Sequence, residues 1–149
     1  MRAAIEETRT ESERKHAASC YNEAFSARKR RYLGLMQFIG HMFNIGIMNL
    51  AILADCHRRL MLHDDPIVDW MVEAMMALVE VAGKKMDRDC PADLDDMMKN
   101  VDRETQALAN KRVRWMFEDL SSLRKRKWPN CEAPAPARQP DKSKRALED

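Results

Sequence analysis

Apolar residues recur at steps of three and four along most of this chain, and no run alternates apolar with polar residues in the way a half-buried strand does. The first stripe runs Tyr21, Phe25, Leu33, Met36, Ile39, Met42 and Phe43, one face of a helix predicted over about residues 18–45. After a break at Gly46–Asn49, Leu50, Leu53, Cys56 or His57, and Leu60 predict a second helix over about 49–62. Asp65 and Pro66 form an N-cap and first-turn pair. They predict a third helix over about 66–86, with Ile67, Met71, Ala74, Met75, Leu78 and Ala82 on its inner face and Gly83 as its C-terminal signal or a loosening of its last turn. Leu94, Met97, Met98 and Val101 predict a fourth helix over about 91–105, and Val113, Met116, Leu120 and Leu123 a fifth over about 109–126.

Five helices joined by short turns predict an all-α fold. The second pairs with the third and the fourth with the fifth, as antiparallel hairpins. Hairpins that bury their apolar seams only against neighbours make a HEAT-like α-solenoid. Residues 1–17 are polar and weakly periodic and read as a flexible arm or frayed helix start, 18–128 as the folded domain, and 129–149, rich in Pro and charge, as a disordered tail.

Composition supports helix: 12 Met and only 4 Gly in 149 residues. The four cysteines, at 20, 56, 90 and 131, contain no Cys-x-x-Cys and no zinc-ligand spacing. They read as reduced thiols in a cytosolic or nuclear protein. No apolar run is long enough for a membrane span, and the charged N-terminus resembles neither a secretory nor a mitochondrial leader.

Charge changes the picture more. Arg28, Lys29, Arg30 and Arg31 cluster ahead of the first apolar block; they suit RNA phosphates or an acidic partner, or simply a solvated helix face. Residues 87–104 hold seven acids against three bases, and 111–127 hold seven bases against two acids. The two flanks can neutralise each other across the last hairpin. Arg124, Lys125, Arg126 and Lys127 exceed what the helix dipole asks for, so RNA, an acidic protein patch or a nuclear-import signal are the readings of that run. Trp70 sits at a seam edge, Trp115 either between repeats or at a partner surface, and Trp128 at the end of the last repeat, where a solenoid needs a cap. Met75, Met76, Met97 and Met98 read as core. The histidines do not converge, Cys56 and His57 point about 100° apart on their helix, and no phosphate loop or catalytic motif is present. No enzyme, cofactor, metal or small-molecule substrate is expected.

Three blocks carry a resemblance. Arg30–Met48, RRYLGLMQFIGHMFNIGIM, is similar to the RRxLGxxxFIGELFKLxML signature of the MIF4G domain, the middle domain of translation initiation factor 4G. ILADCHRRLM resembles the family's AIxxDCxxxLL, and ANKRVRWMFEDLSSLRKRKW its SSRIRFMLxDxxDLRxxxW. The blocks stand in the family's order and cover about residues 22–129. His41-Met42 departs from the usual Glu-Leu, and Lys125-Arg126-Lys127 from a short polar turn. The family domain is a stack of five hairpins, so this chain corresponds to its C-terminal half. The first helix lacks its hairpin partner and should leave an apolar face uncovered; the sequence is then a fragment, a degenerate paralogue, or a chain whose face another chain covers.

The resemblance implies a non-catalytic cytoplasmic scaffold in translation initiation. Its implied partner is a DEAD-box RNA helicase of the initiation factor 4A type, with RNA and other initiation factors as further partners. Helicase contact falls on Phe43, Asn44, Arg112, Arg114, Trp115 and Phe117. RNA contact falls on Arg28, Lys29, Arg30, Arg31, Lys111, Arg124, Lys125, Arg126 and Lys127. The alternatives are a MIF4G adaptor in splicing, mRNA decay or poly(A)-binding-protein interaction, and a stand-alone basic RNA-binding module.

Overall fold

The computed structural model describes residues 2–62 and 66–129, with side chains from residue 10 onward. It holds five α-helices: α1 (Arg2–Asn44), α2 (Leu50–Met61), α3 (Asp69–Asp89), α4 (Pro91–Leu108) and α5 (Lys111–Lys125). Among the described residues there is no strand. The all-α class and the five-helix order follow the apolar periodicity; two helix boundaries and one glycine do not.

The first difference is at α1, which begins at Arg2 rather than near residue 18. Residues 10–26 are exposed throughout, so burial does not order them and a search for an apolar stripe misses them. Local chemistry supports helix there. Ala, Glu, Arg and Lys are eight of these residues and favour helix, Lys15 pairs with Glu11 at 3.5 Å, and the Ser19 hydroxyl donates to Glu23 at 3.5 Å, both at the i,i+4 spacing that supports helix.

The second difference is at the start of α3. Asp65 lies outside the described residues, and Pro66–Val68 are not helical. The helix starts at Asp69 behind an extended Val68 that makes no side-chain cap bond. The Asp69 carboxylate instead accepts from the Asn110 side-chain amide, which ties the start of α3 to the start of α5. Asn110 also caps α5, taking the Arg112 N–H at 3.0 Å on its side-chain oxygen.

Gly83 gives the third difference. α3 does not end there but continues to Asp89, and the glycine opens a notch in its flank. A Cβ at this position would meet the ring of Trp128, 2.6 Å from Cζ2 and 2.7 Å from Cζ3. At the end of α5 the chain reverses through Lys127 (φ 58°) and Trp128 (φ 57°), both left-handed. Their amides bond Arg124 O and Leu123 O at 2.9 Å each, the pattern of a Schellman motif in which glycine is usual. The turn throws Trp128 into the notch, where it is 2% exposed. It closes the last repeat, as the sequence suggests.

α3 is the hub. It packs on all four other helices, most extensively on α1, and Val72 through Val79 are all buried, as expected of a helix enclosed on every side. Each fully buried Leu53, Leu78 or Leu94 contributes about 1.5–3 kcal/mol. Gly40 brings α1 close: a Cβ there would lie 2.9 Å from Val81 Cβ and 3.3 Å from Leu78 O. The ties along α3 set direction. Lys29 of α1 and Arg112 of α5 both meet Glu73; near the other end, Lys85 donates to Phe43 O at 2.7 Å and Asp87 takes Arg124. So α1, α3 and α5 run parallel in one layer. Behind them α2 and α4 touch each other, joined by the bond between Asn100 Nδ2 and His57 Nε2 at 3.2 Å. The expected hairpins pack, but contact within the parallel layer is larger than contact within the α2–α3 hairpin.

Leu35 and Phe38 on α1, and Ile45 and Ile47 in the turn that follows it, are exposed, an apolar edge of the kind the sequence reading expects along the first helix.

Candidate interaction surfaces

The outer side of α5 presents Lys111, Arg114 and Trp115 to solvent. Trp115 is 63% exposed on a helix fixed at both ends, by the Asn110–Asp69 bond and by the Arg124–Trp128 closure. An aromatic ring held rigidly among arginines loses little entropy on docking, which suits an interface anchor. Of the two placements the sequence left open for Trp115, the exposed one is observed.

The other helicase-contact candidates separate. Phe43 is a core residue, 5% exposed, with the Lys85 ammonium 4.7 Å above its ring. Asn44 is exposed, but its amide donates to Val81 O at 2.8 Å and so holds the end of α1 against α3. Phe117 is half-buried against the core. Arg112 reaches solvent while one guanidinium nitrogen stands 3.6 Å from Glu73. Only Arg112, Arg114 and Trp115 share one exposed stretch; Asn44 lies at the end of α1, whose backbone makes no close approach to α5, and Phe43 is not on the surface.

The basic candidates divide in the same way. Lys29 is 2.7 Å from Glu73, whose side chain is 2% exposed, so its charge works inside the fold. Arg124 pairs with Asp87 at 2.8 Å and Asp95 at 2.7 Å, stapling α3, α4 and α5. Its guanidinium holds the Asp87 carboxyl below the usual range, aided by the Trp128 N–H, which donates to Asp87 at 3.1 Å; Asp87 in turn pushes Arg124 up. Arg28, Arg30, Arg31, Lys111, Lys125, Arg126 and Lys127 are exposed.

Glu73 was missed in the sequence because it sits inside an apolar run, where its role needs tertiary partners to be visible. The signal was there: a single acid within VEAMMALV, which a buried charge survives only when paired. His57 and Cys56 form no reactive pair in this fold. Burial holds the imidazole below its usual value and pushes the thiol up. Trp70 is half-buried at the seam edge, its ring 4.9 Å from that of Tyr32. Among the described residues no cluster of His, Cys, Asp or Glu could hold a metal ion, and no helix is long and apolar enough to cross a membrane.

A groove of about 310 Å³ runs between α1 and α5 with α3 as its floor. Leu33, Met76, Met116 and Leu123 are among its apolar lining, and Glu73, Glu80 and Asp119 are its acids. No sequence signal marked it, because its walls come from three separate helices.

The profile of the MIF4G domain matches residues 4–127, which include the N-terminal part of α1 as well as the rest of the helical body. This chain belongs to the MIF4G domain family. It is 27% identical over 129 residues to eukaryotic translation initiation factor 4 gamma 1 of Oryctolagus cuniculus, covering 83% of this chain and 9% of that protein. The same factor of Mus musculus is 27% identical over 128 residues, covering 83% and 8%. The eukaryotic initiation factor 4F subunit p130 of Saccharomyces cerevisiae is 33% identical over 66 residues, covering 43% and 7%. The chain therefore spans less than a tenth of the length of these curated relatives. No solved structure gives a significant match. The helical stack and the exposed α5 face are thus features of a MIF4G domain whose relatives are initiation factors.

Proposed function

We propose that this MIF4G domain is a non-catalytic scaffold of translation initiation in the cytoplasm. It docks a DEAD-box RNA helicase of the initiation factor 4A type through the outer face of α5. The observation that carries the reading is Trp115, 63% exposed beside Arg112 and Arg114 on a rigidly held helix. The names of the relatives support the process. The physical logic is differential binding: a stiff surface that fits one arrangement of the two helicase lobes better than others raises the population of that arrangement. RNA contact is assigned to the bases Arg28, Arg30, Arg31, Lys111, Lys125, Arg126 and Lys127, all of them exposed.

The test is titration of the purified chain with an initiation factor 4A helicase, followed by calorimetry. Trp115→Ala is expected to weaken binding by about 2 kcal/mol or more with the melting temperature unchanged. Absence of binding by the wild-type chain, or equal binding by the variant, defeats the helicase assignment. Steep salt-dependent binding of single-stranded RNA by the chain alone would move the function to a stand-alone RNA module.

A further inference from the structure

The exposed length of α1 carries a pattern with no part yet in the function above. Tyr21 is 71% exposed, Phe25 and Tyr32 are exposed, and so are Arg14 and Arg28. At about 100° per residue these five side chains fall within about 60° of one another around the helix. They form a strip about 27 Å long from Arg14 to Tyr32. The Tyr21 and Phe25 rings are near-parallel, their planes 17° apart. The Tyr32 ring leans on that of Trp70 at 4.9 Å, which fixes the end of the strip nearest the body. Among the described residues neither Arg14 nor Arg28 has an acid partner, whereas Lys29 is turned in to Glu73. The acids of the segment leave the strip basic. Glu11, beside it, is paired with Lys15, and Glu13 and Glu23 lie on other sides of the helix.

We propose that this strip binds single-stranded RNA, with unpaired bases stacked on Tyr21, Phe25 and Tyr32 and phosphates held by Arg14 and Arg28. The site rests on the RNA contact proposed above and narrows it, since Arg30 of the same basic cluster projects from the opposite side of the helix. Flat rings interleaved with arginines suit a single strand of any sequence, because every base has a π-face and guanidinium matches phosphate. A duplex keeps its base faces in its own stack and gains from the arginines alone. A partner helix is disfavoured by the same residues. The five stand at steps of three, four and seven, the seam positions of a heptad, and a helix packed there would bury two guanidiniums where apolar side chains belong.

The probe is fluorescein-labelled oligouridylate of about twelve nucleotides, titrated with the full chain and followed by anisotropy at several salt concentrations. Tyr21→Ala and Phe25→Ala are each expected to weaken binding about tenfold, with the melting temperature retained at these exposed sites. Tyr21→Phe, which keeps the ring, should bind like wild type. Arg28→Gln should lose more affinity than Arg30→Gln and lower the slope of log K against log salt by about 0.7, which Tyr21→Ala leaves unchanged. Duplex RNA, and a strand of the same length without bases, should bind Tyr21→Ala and wild type alike. The strip is overturned as the site if oligouridylate binds Tyr21→Ala and Phe25→Ala as it binds wild type, or if Tyr21→Phe is as weak as Tyr21→Ala. It is also overturned if a Leu/Glu amphipathic helix binds wild type and fails to bind Tyr21→Ala, which makes the face a protein-docking one. Binding lost in Arg126→Gln and retained in Tyr21→Ala likewise overturns the strip, while RNA contact stands and moves to the end of α5. No binding by wild type at about 50 mM salt removes RNA contact altogether. Trp115→Ala should leave oligouridylate binding unchanged, which keeps the result separate from the helicase assignment.

Discussion

At the α5 end of the stack Trp128 fills a notch in α3 and hydrogen-bonds Asp87, and Arg124 ties three helices together. At the α1 end Leu35, Phe38, Ile45 and Ile47 stand in solvent. Both edges belong to helices of the same layer, packed on the same central helix. The difference is that one edge is finished by residues beyond its last helix and the other is not. A repeat is thus closed by a few specific devices (a missing side chain, a ring to fill the gap, an acid to hold the ring), and not by the apolar pattern that forms the helices.

The largest effect should come from spoiling the notch. Gly83→Leu places a branched side chain where the Trp128 ring lies and is expected to cost about 3–5 kcal/mol in urea unfolding, much as Trp128→Ala should. In a Trp128→Ala background Gly83→Leu should become mild; an equal cost in both backgrounds would show that the notch is not what the glycine provides. Next is the ion cluster inside the layer. Glu73→Ala leaves the Lys29 ammonium, 22% exposed, without its acid and should cost about 2 kcal/mol, most of it recovered when Lys29→Met is added.

Acid should open the closed end before the rest. The Asp87 carboxyl is lowered from 3.8 in the fold, so the unfolded chain takes up its proton first. The stability Asp87 contributes is complete above the ordinary Asp value and is lost as pH falls through the depressed folded value. The melting temperature of wild type should therefore fall more steeply below about pH 4 than that of Asp87→Asn, which starts lower at neutral pH; parallel curves would remove Asp87 from the closure. The smallest effect belongs to the open edge. Phe38→Lys, at a site 52% exposed, should change stability by less than about 0.5 kcal/mol, and a larger loss would mean that this edge is covered in solution.

Periodicity located α2, α4 and α5 to within a few residues because each buries one stripe, and a stripe is written locally. It was least informative at α1, where residues 10–26 are helical without any buried face and the signal lies in helix propensity and in side-chain pairs at i,i+4. Gly83 shows the complementary failure. As a sequence symbol it reads as a helix terminator, yet its use depends on a ring 45 positions later in the chain, which no window around residue 83 contains. The surface candidates sort on the same principle. Trp115 could be flagged because an aromatic off the α5 stripe faces outward, whereas Lys29 and Arg124 look like any other surface bases until Glu73 and Asp87 are placed beside them.

The free-standing part of α1 has a mechanical consequence. At 1.5 Å per residue, residues 10–26 extend about 25 Å, and the Tyr21 and Phe25 rings, stacked at 6.4 Å, lie part-way along. Whatever grips that rod holds the domain at a set distance and orientation, like a handle on a tool, so shortening the rod by a single residue would rotate everything bound to its tip by about 100° relative to the body.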